Sequence, residues 1–243
     1  MPQMVWCGDG VWRRAASVAS NATMNPQITL PRYSLREEVA HSVTSAVGVA
    51  LAVAGSAILI ARANNHGTVW HVVSCSVYGA TLLFLYTAST LYHSIHFPRA
   101  KGILRVLDHS AIFLLIAGTY TPFALVNLRG AWGWSLFGVI WGLAALGIAF
   151  QAWLHRRPVA SVGLYVGMGW AVVVAVKPLF AAVAPNGLVL LLAGGLAYTL
   201  GLGFYAWRRL PYHHAIWHVF VLAGSIFHFF AILFYVIVIP TGP

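Results

Sequence analysis

From residue 40 to residue 239 the chain is built almost entirely of apolar runs of membrane-crossing length, and that leaves it few possible folds. The runs cover approximately 40–61, 69–93, 106–127, 133–153, 159–181, 187–207 and 214–239. A helix crosses the ~30 Å hydrocarbon core with about 20 apolar residues, so each run is long enough. With no water in the bilayer to pair exposed peptide groups, the helix is the one open-ended structure that satisfies its own backbone. The breaks carry turn formers and charge: Asn64-Asn65-His66-Gly67, Phe97-Pro98-Arg99, Asn127-Leu128-Arg129-Gly130, Arg156-Arg157-Pro158, Pro185-Asn186-Gly187 and Arg208-Arg209-Leu210-Pro211. Only 7% of residues are charged, against roughly 25% in a soluble domain. The expected fold class is therefore an all-α integral membrane protein, a seven-transmembrane-helix bundle in the cell membrane.

Residues 1–33 have no long apolar run, and Arg13-Arg14 is followed by a stretch too short and too polar for a signal-peptide core. They are expected to form a weakly ordered cytoplasmic tail ahead of a membrane domain spanning 34–243. No internal repeat is visible, which counts against an inverted-repeat transporter. Gly138 with Gly142, and Gly163 with Gly167, have the spacing of close helix packing.

The net charge of +10 invites comparison with nucleic-acid binders. Its distribution points instead to the loops of a membrane protein, and no nucleic-acid partner is expected. One side of the predicted membrane receives eleven basic residues: Arg13, Arg14, Arg32, Arg36, Arg99, Lys101, Arg105, Arg156, Arg157, Arg208 and Arg209. The other side receives three, Arg62, Arg129 and Lys177. Basic loops stay in the cytoplasm, so the N-terminus is expected inside and the C-terminus outside. The two cysteines, Cys7 and Cys75, support no disulfide framework.

This topology makes a spatial expectation. Ser89 and His93 close the second run, Asp108 opens the third, and His214 and His218 open the seventh. All five then lie at one depth near the cytoplasmic face. Asp108 is one of only four acidic residues and sits where a carboxylate is expensive. His214 and His218 are four apart on one helical face, the arrangement by which a helix offers two imidazoles to one metal. His93 supplies a third nitrogen, and three histidines with one open position describe a catalytic zinc site. Asp108 is the candidate general base and Ser89 a hydrogen-bonding assistant. Taken singly, Asp108 also reads as a helix-start charge favoured by the macrodipole, and each histidine as an interfacial or packing residue.

The remaining histidines are expected to be ordinary. His66, His96, His155 and His213 look interfacial, and His71 falls on the outer side. His109 points about 100° away from Asp108, and His228 lies about 15 Å deeper than His218. His41 stands beside Glu37 and Glu38, whose carboxylates most simply favour a helix N-terminus; support of the metal site is the alternative. A retinal protein is excluded because the only lysines are Lys101 and Lys177, neither in the last run. For a membrane b-type cytochrome His214 and His228 could make one pair, but no matching pair lies on a second run.

Ser89-x-x-x-His93, the Asp108 segment and His214-x-x-x-His218, each at its own run, resemble the hemolysin III family, the bacterial branch of the progestin and adiponectin receptor superfamily. The resemblance covers roughly residues 34–240. It implies seven helices with a cytoplasmic N-terminus, zinc on His93, His214 and His218, and Asp108 reaching the metal through water. It further implies kinship with ceramide-hydrolysing enzymes and a link to haemolysis and membrane-lipid homeostasis. Bacterial relatives often read Glu-x-x-Asn-x-x-Thr-His near the first run. Here the asparagine place holds His41 and the histidine place Ser45.

Two functions remain open at this point. One is a zinc-dependent hydrolase acting on a lipid amide or ester. The other is a non-enzymatic lipid sensor, or a pore-forming cytolysin, with a structural zinc. Either takes a membrane lipid as substrate or ligand. The charge asymmetry also sets a topology test. A reporter active only in the cytoplasm is expected to work when fused at the 156–157 loop and to fail when fused after residue 243; the opposite result reverses the orientation.

Overall fold

The computed structural model describes residues 4–6, 12–14, 33–151 and 158–237. The chain divides into two units, Met1–Pro31 and Arg32–Pro243. In the first, Met4–Trp6 (β1) and Trp12–Arg14 (β2) pair as an antiparallel two-stranded sheet with Trp6 opposite Trp12. Most of the stretch expected to be weakly ordered lies outside the described residues.

Among the described residues the second unit has seven helices long and apolar enough to cross a membrane. They are α1 Leu35–His66, α2 Val69–Ser94, α3 Pro98–Pro122, α4 Ala131–Ala149, α5 Pro158–Trp170 with α6 Val176–Ala182, α7 Pro185–Ala206 and α8 His213–Tyr235. The pair α5 and α6 forms one crossing, joined by a 3₁₀ turn at Ala171–Ala175. That break leaves backbone groups without helical partners, and the Tyr120 hydroxyl fills the gap. It lies 2.9 Å from the Met168 carbonyl and 2.8 Å from that of Gly169, and it accepts from the Val172 N–H at 2.9 Å. α3 runs on through a π turn, Phe123–Asn127, just after Pro122, whose missing N–H weakens the regular ladder.

Helices that are apolar all round cannot choose their inner face by hydrophobicity, because lipid is as apolar as leucine. They choose it by size and polarity. α1 buries Glu38, His41, Ser45, Gly48, Ala52, Gly55, Leu59 and Ala63, a stripe at three- and four-residue spacing. The opposite face carries exposed Val39, Val43, Val47 and Leu51. Gly48 meets the Tyr86 ring, Gly79 meets Ser56 and Gly118 meets Thr81, so α1, α2 and α3 approach closely at glycines. The glycines expected to do this, Gly138, Gly142, Gly163 and Gly167, have open space where a Cβ would stand. Spacing alone therefore misplaced the contacts; they occur where a bulky partner on the neighbouring helix needs the room.

Deeper in the bundle, Ser225 of α8 gathers three tyrosines. Tyr86 donates to its hydroxyl at 2.9 Å, Tyr198 pairs with the same hydroxyl at 2.9 Å, and Tyr78 donates to its carbonyl at 3.2 Å. His228 stacks on Tyr198 with ring centroids 5.5 Å apart, as a packed core residue does. Replacing Ser225 by Ala strands two phenolic hydroxyls. It is expected to cost about 1–2 kcal/mol, read as a lower thermal midpoint of the detergent-purified protein; an unchanged midpoint contradicts this.

Candidate metal centre

The site begins with a cap. The Ser34 hydroxyl accepts from the Glu37 N–H at 3.3 Å, and Glu37 Oε2 accepts from the Ser34 N–H at 2.9 Å. This capping box fixes where α1 starts, and so the rotational phase of every residue after it. Glu37 thus has the helix-start role expected of it. Glu38, one residue on, faces inward and has another.

Glu38 is buried and its two oxygens are divided between two helices. Oε2 accepts from His93 Nδ1 at 2.7 Å, and Oε1 accepts from the Lys101 ammonium. Lys101 also lies 5.2 Å from the centre of the Tyr92 ring. Lys101 was expected in a loop, because the third run was placed from residue 106. Pro98 instead starts α3 eight residues earlier, a position where its missing N–H costs nothing. The same shift moves Asp108 from the helix start to about 15 Å along it. A macrodipole charge no longer explains Asp108. One carboxylate ties α1, α2 and α3, and it fixes the tautomer of His93: Nδ1 carries the proton and Nε2 keeps its lone pair.

The seventh crossing brings its pair to the same place. One ligand atom from each of His93, His214 and His218 lies within 4.8 Å of the other two, and all three residues are buried. The expected convergence of α2 and α8 is therefore realised in space. His218 Nδ1 lies 3.1 Å from Thr44 Oγ1, 3.1 Å from Ser45 Oγ and 3.3 Å from the His41 carbonyl. A carbonyl only accepts, so Nδ1 is the protonated nitrogen and Nε2 is free to bind. Ser45 in turn donates to Ser89 Oγ at 3.1 Å. The Ser89 side chain is the hydrogen-bonding neighbour of the buried Asp108 carboxylate. A line of polar groups thus runs from His218 through Ser45 and Ser89 to Asp108. Asp108 itself belongs to neither group of candidate ligand atoms. His109 is closer to it than expected: its Nδ1 pairs with the Arg105 carbonyl at 2.9 Å and lies 3.6 Å from Asp108 Oδ2.

The donor set fits a divalent ion held by imidazole. His93 Nε2 and both ring nitrogens of His214 are buried without a hydrogen-bond partner. Such atoms are costly, each by about 1–3 kcal/mol, unless something binds them. Imidazole nitrogens suit zinc, and also copper, iron or nickel. The carboxylate on His93 Nδ1 is the arrangement that orients a ligating histidine and raises its basicity.

Sequence reasoning passed over Tyr33 here and weighed His41 only as a neighbour of Glu37 and Glu38. Tyr33, just ahead of α1, stands edge-on to His41 at 4.8 Å between ring centroids and lies 5.5 Å from His214. Burial pushes its hydroxyl up to about 12, so it stays protonated. His41 sits inside the cluster, 4.7 Å from His93 and 4.8 Å from His214 between ring centroids. The available signal was its position three residues after Glu38 and four before Ser45, on the one polar face of an otherwise apolar helix.

A model of the family described as haemolysin-III related matches residues 33–229, which contain every residue of this site. The chain belongs to that family. It is 47% identical to Hemolysin-3 of Bacillus cereus over 220 residues, covering 90% of this chain and all of that one. It is 44% identical to the Hemolysin-3 homolog of Bacillus subtilis (strain 168), across 86% of this chain and 98% of the other. A human relative, monocyte to macrophage differentiation factor, is 28% identical over 84% of this chain and 87% of its own. The family and the seven crossings make this a multi-pass protein of the cell membrane.

Lys101 and Glu38 are expected to be coupled. Lys101→Met leaves a buried carboxylate half-compensated and should cost about 3–5 kcal/mol. Adding Glu38→Gln should recover a large part of that stability while weakening metal retention by about 10–100-fold. Thermal melts and chelator competition of the single and double variants test both; additive losses would contradict the coupling.

Proposed function

We propose that this protein is a zinc-dependent hydrolase within the membrane, acting on the amide or ester bond of a lipid at the cytoplasmic side. The observation that carries this reading is the set of buried imidazole nitrogens that converge without partners next to a separately held carboxylate. Zinc, when bound there, supplies a water acidified toward pH ~7 and a polarised carbonyl.

The chain's own residues do the rest. Glu38 holds His93 in the tautomer that presents Nε2, and Thr44, Ser45 and the His41 carbonyl do the same for His218. Asp108 takes the proton of the attacking water at its carboxylate and returns it to the leaving amine or alcohol. Ser89 lies between that carboxylate and Ser45, and orients the acceptor oxygen. The burial of the cluster excludes bulk water, which strengthens each of these interactions.

Metal content and turnover separate this from a purely structural site. Wild type is expected to carry about one zinc per chain, and His214→Ala/His218→Ala to carry none. Asp108→Ala is expected to keep its zinc and lose at least about 100-fold in hydrolysis of short-chain ceramides or other lipid amides. Full turnover in Asp108→Ala at normal expression would sink the mechanism. A structural zinc would be supported if no lipid amide or ester is cleaved by the zinc-loaded wild type.

A further inference from the structure

Three imidazoles satisfy the expected centre, yet they leave the most deeply buried ring of the cluster unexplained. His41 has no exposed surface, and both of its ring nitrogens are buried without a hydrogen-bond partner. A structural histidine in a packed membrane helix pairs at least one nitrogen, because two stranded nitrogens forfeit the bonds that they had in water. Something is expected to bind this ring.

Its position says what. The centroids of His41, His93, His214 and His218 are 4.7, 4.8, 5.7, 5.2, 5.3 and 4.7 Å apart, taken pair by pair. Four imidazoles arranged tetrahedrally about one ion, with zinc–nitrogen bonds of ~2.0–2.1 Å, place their centroids about 5 Å apart. The four rings therefore already stand as a slightly distorted tetrahedron, with His41 at one corner. Glu38 supports the same assignment. Its Oε2 lies 2.7 Å from His93 Nδ1 and 3.9 Å from His41 Nδ1. At 3.9 Å the carboxylate does not bond His41, so it holds His93 in place and leaves the His41 ring free to turn.

Glu38, His41 and His93 also form a donor group of their own within 4.8 Å. A second cation there would face the Lys101 ammonium and would have to displace the proton that His93 shares with Glu38. That group is better read as the support of one centre than as a second one.

We propose that His41 is a fourth imidazole donor of the metal centre, brought onto the ion by a turn of its ring about the Cβ–Cγ bond. A ring nitrogen of His41 now groups with Glu38 and His93 and not with His214 and His218, and the torsion that separates the two orientations is soft. Turned toward Glu38, His41 leaves the fourth position open for the attacking water of the proposed hydrolysis; turned inward, it closes the centre to four nitrogens, a resting form. The inference rests on the metal reading above and adds a ligand to it.

The test counts imidazoles. Zinc-loaded wild type, His41→Asn and His41→Gln are purified in detergent and compared by X-ray absorption at the zinc edge and by chelator competition. Four imidazoles in the wild type and three in both variants, with zinc lost at least about tenfold more readily from the variants, are the expected result. Three imidazoles in all of them, with equal retention, overturn the role of His41 and leave the three-histidine centre standing. No zinc in the wild type removes both. The use of two variants guards against one that fails to fold.

Discussion

The carboxylate of Glu38 is the group on which the rest of this structure depends. A charge inside an apolar bundle survives only if its neighbours neutralise it and fill its lone pairs. Here the two oxygens are met by Lys101 from α3 and His93 from α2, while Glu38 itself comes from α1. Three helices that share little hydrophobic preference for one another are thereby held in one rotational setting. The histidine that Glu38 orients is also the one that stands with His214 and His218 of α8. Helix packing and site geometry are accordingly one problem in this protein.

Such a device makes sense in lipid. Apolar contact between helices competes with equally apolar contact to acyl chains, so specificity has to come from small faces and polar ties. α1 carries both: a buried stripe from Glu38 through Ala63, and a valine and leucine stripe on its back. The Ser225 cluster with Tyr78, Tyr86 and Tyr198 plays the same part deeper in the bundle.

Much of this was legible in the sequence. The seven crossings followed from run length, and the meeting of His93, His214 and His218 followed from topology together with an i, i+4 pair. Their ligand atoms fall within 4.8 Å of one another. What stayed hidden depended on where helices begin and how they rotate. Arg99, Lys101 and Arg105 look like loop charges when hydropathy sets the boundary, yet α3 starts at Pro98 and buries Lys101. Glu37 and Glu38 look equivalent as first-turn acids; a 100° step separates a solvent-side cap from a buried anchor. His41 was weighed chiefly as a neighbour of those acids, because pattern reading cannot tell which side of an apolar helix faces inward. The glycine spacings misled for the same reason, since open space at Gly138 or Gly163 is invisible without the neighbouring helix.

The length of α1 has a consequence for depth. Its 32 residues rise about 48 Å, well beyond a hydrocarbon core of ~30 Å. A straight, centred helix of that length leaves about 9 Å at each end among the headgroups. His41 lies six residues after Leu35, roughly 9 Å up the axis. On that placement the imidazole cluster stands at the boundary between hydrocarbon and headgroups, level with the ester and amide linkages of the lipids themselves. For the hydrolysis proposed above, that level would let a scissile carbonyl reach the cluster by lateral diffusion, with no need for a lipid to leave its leaflet.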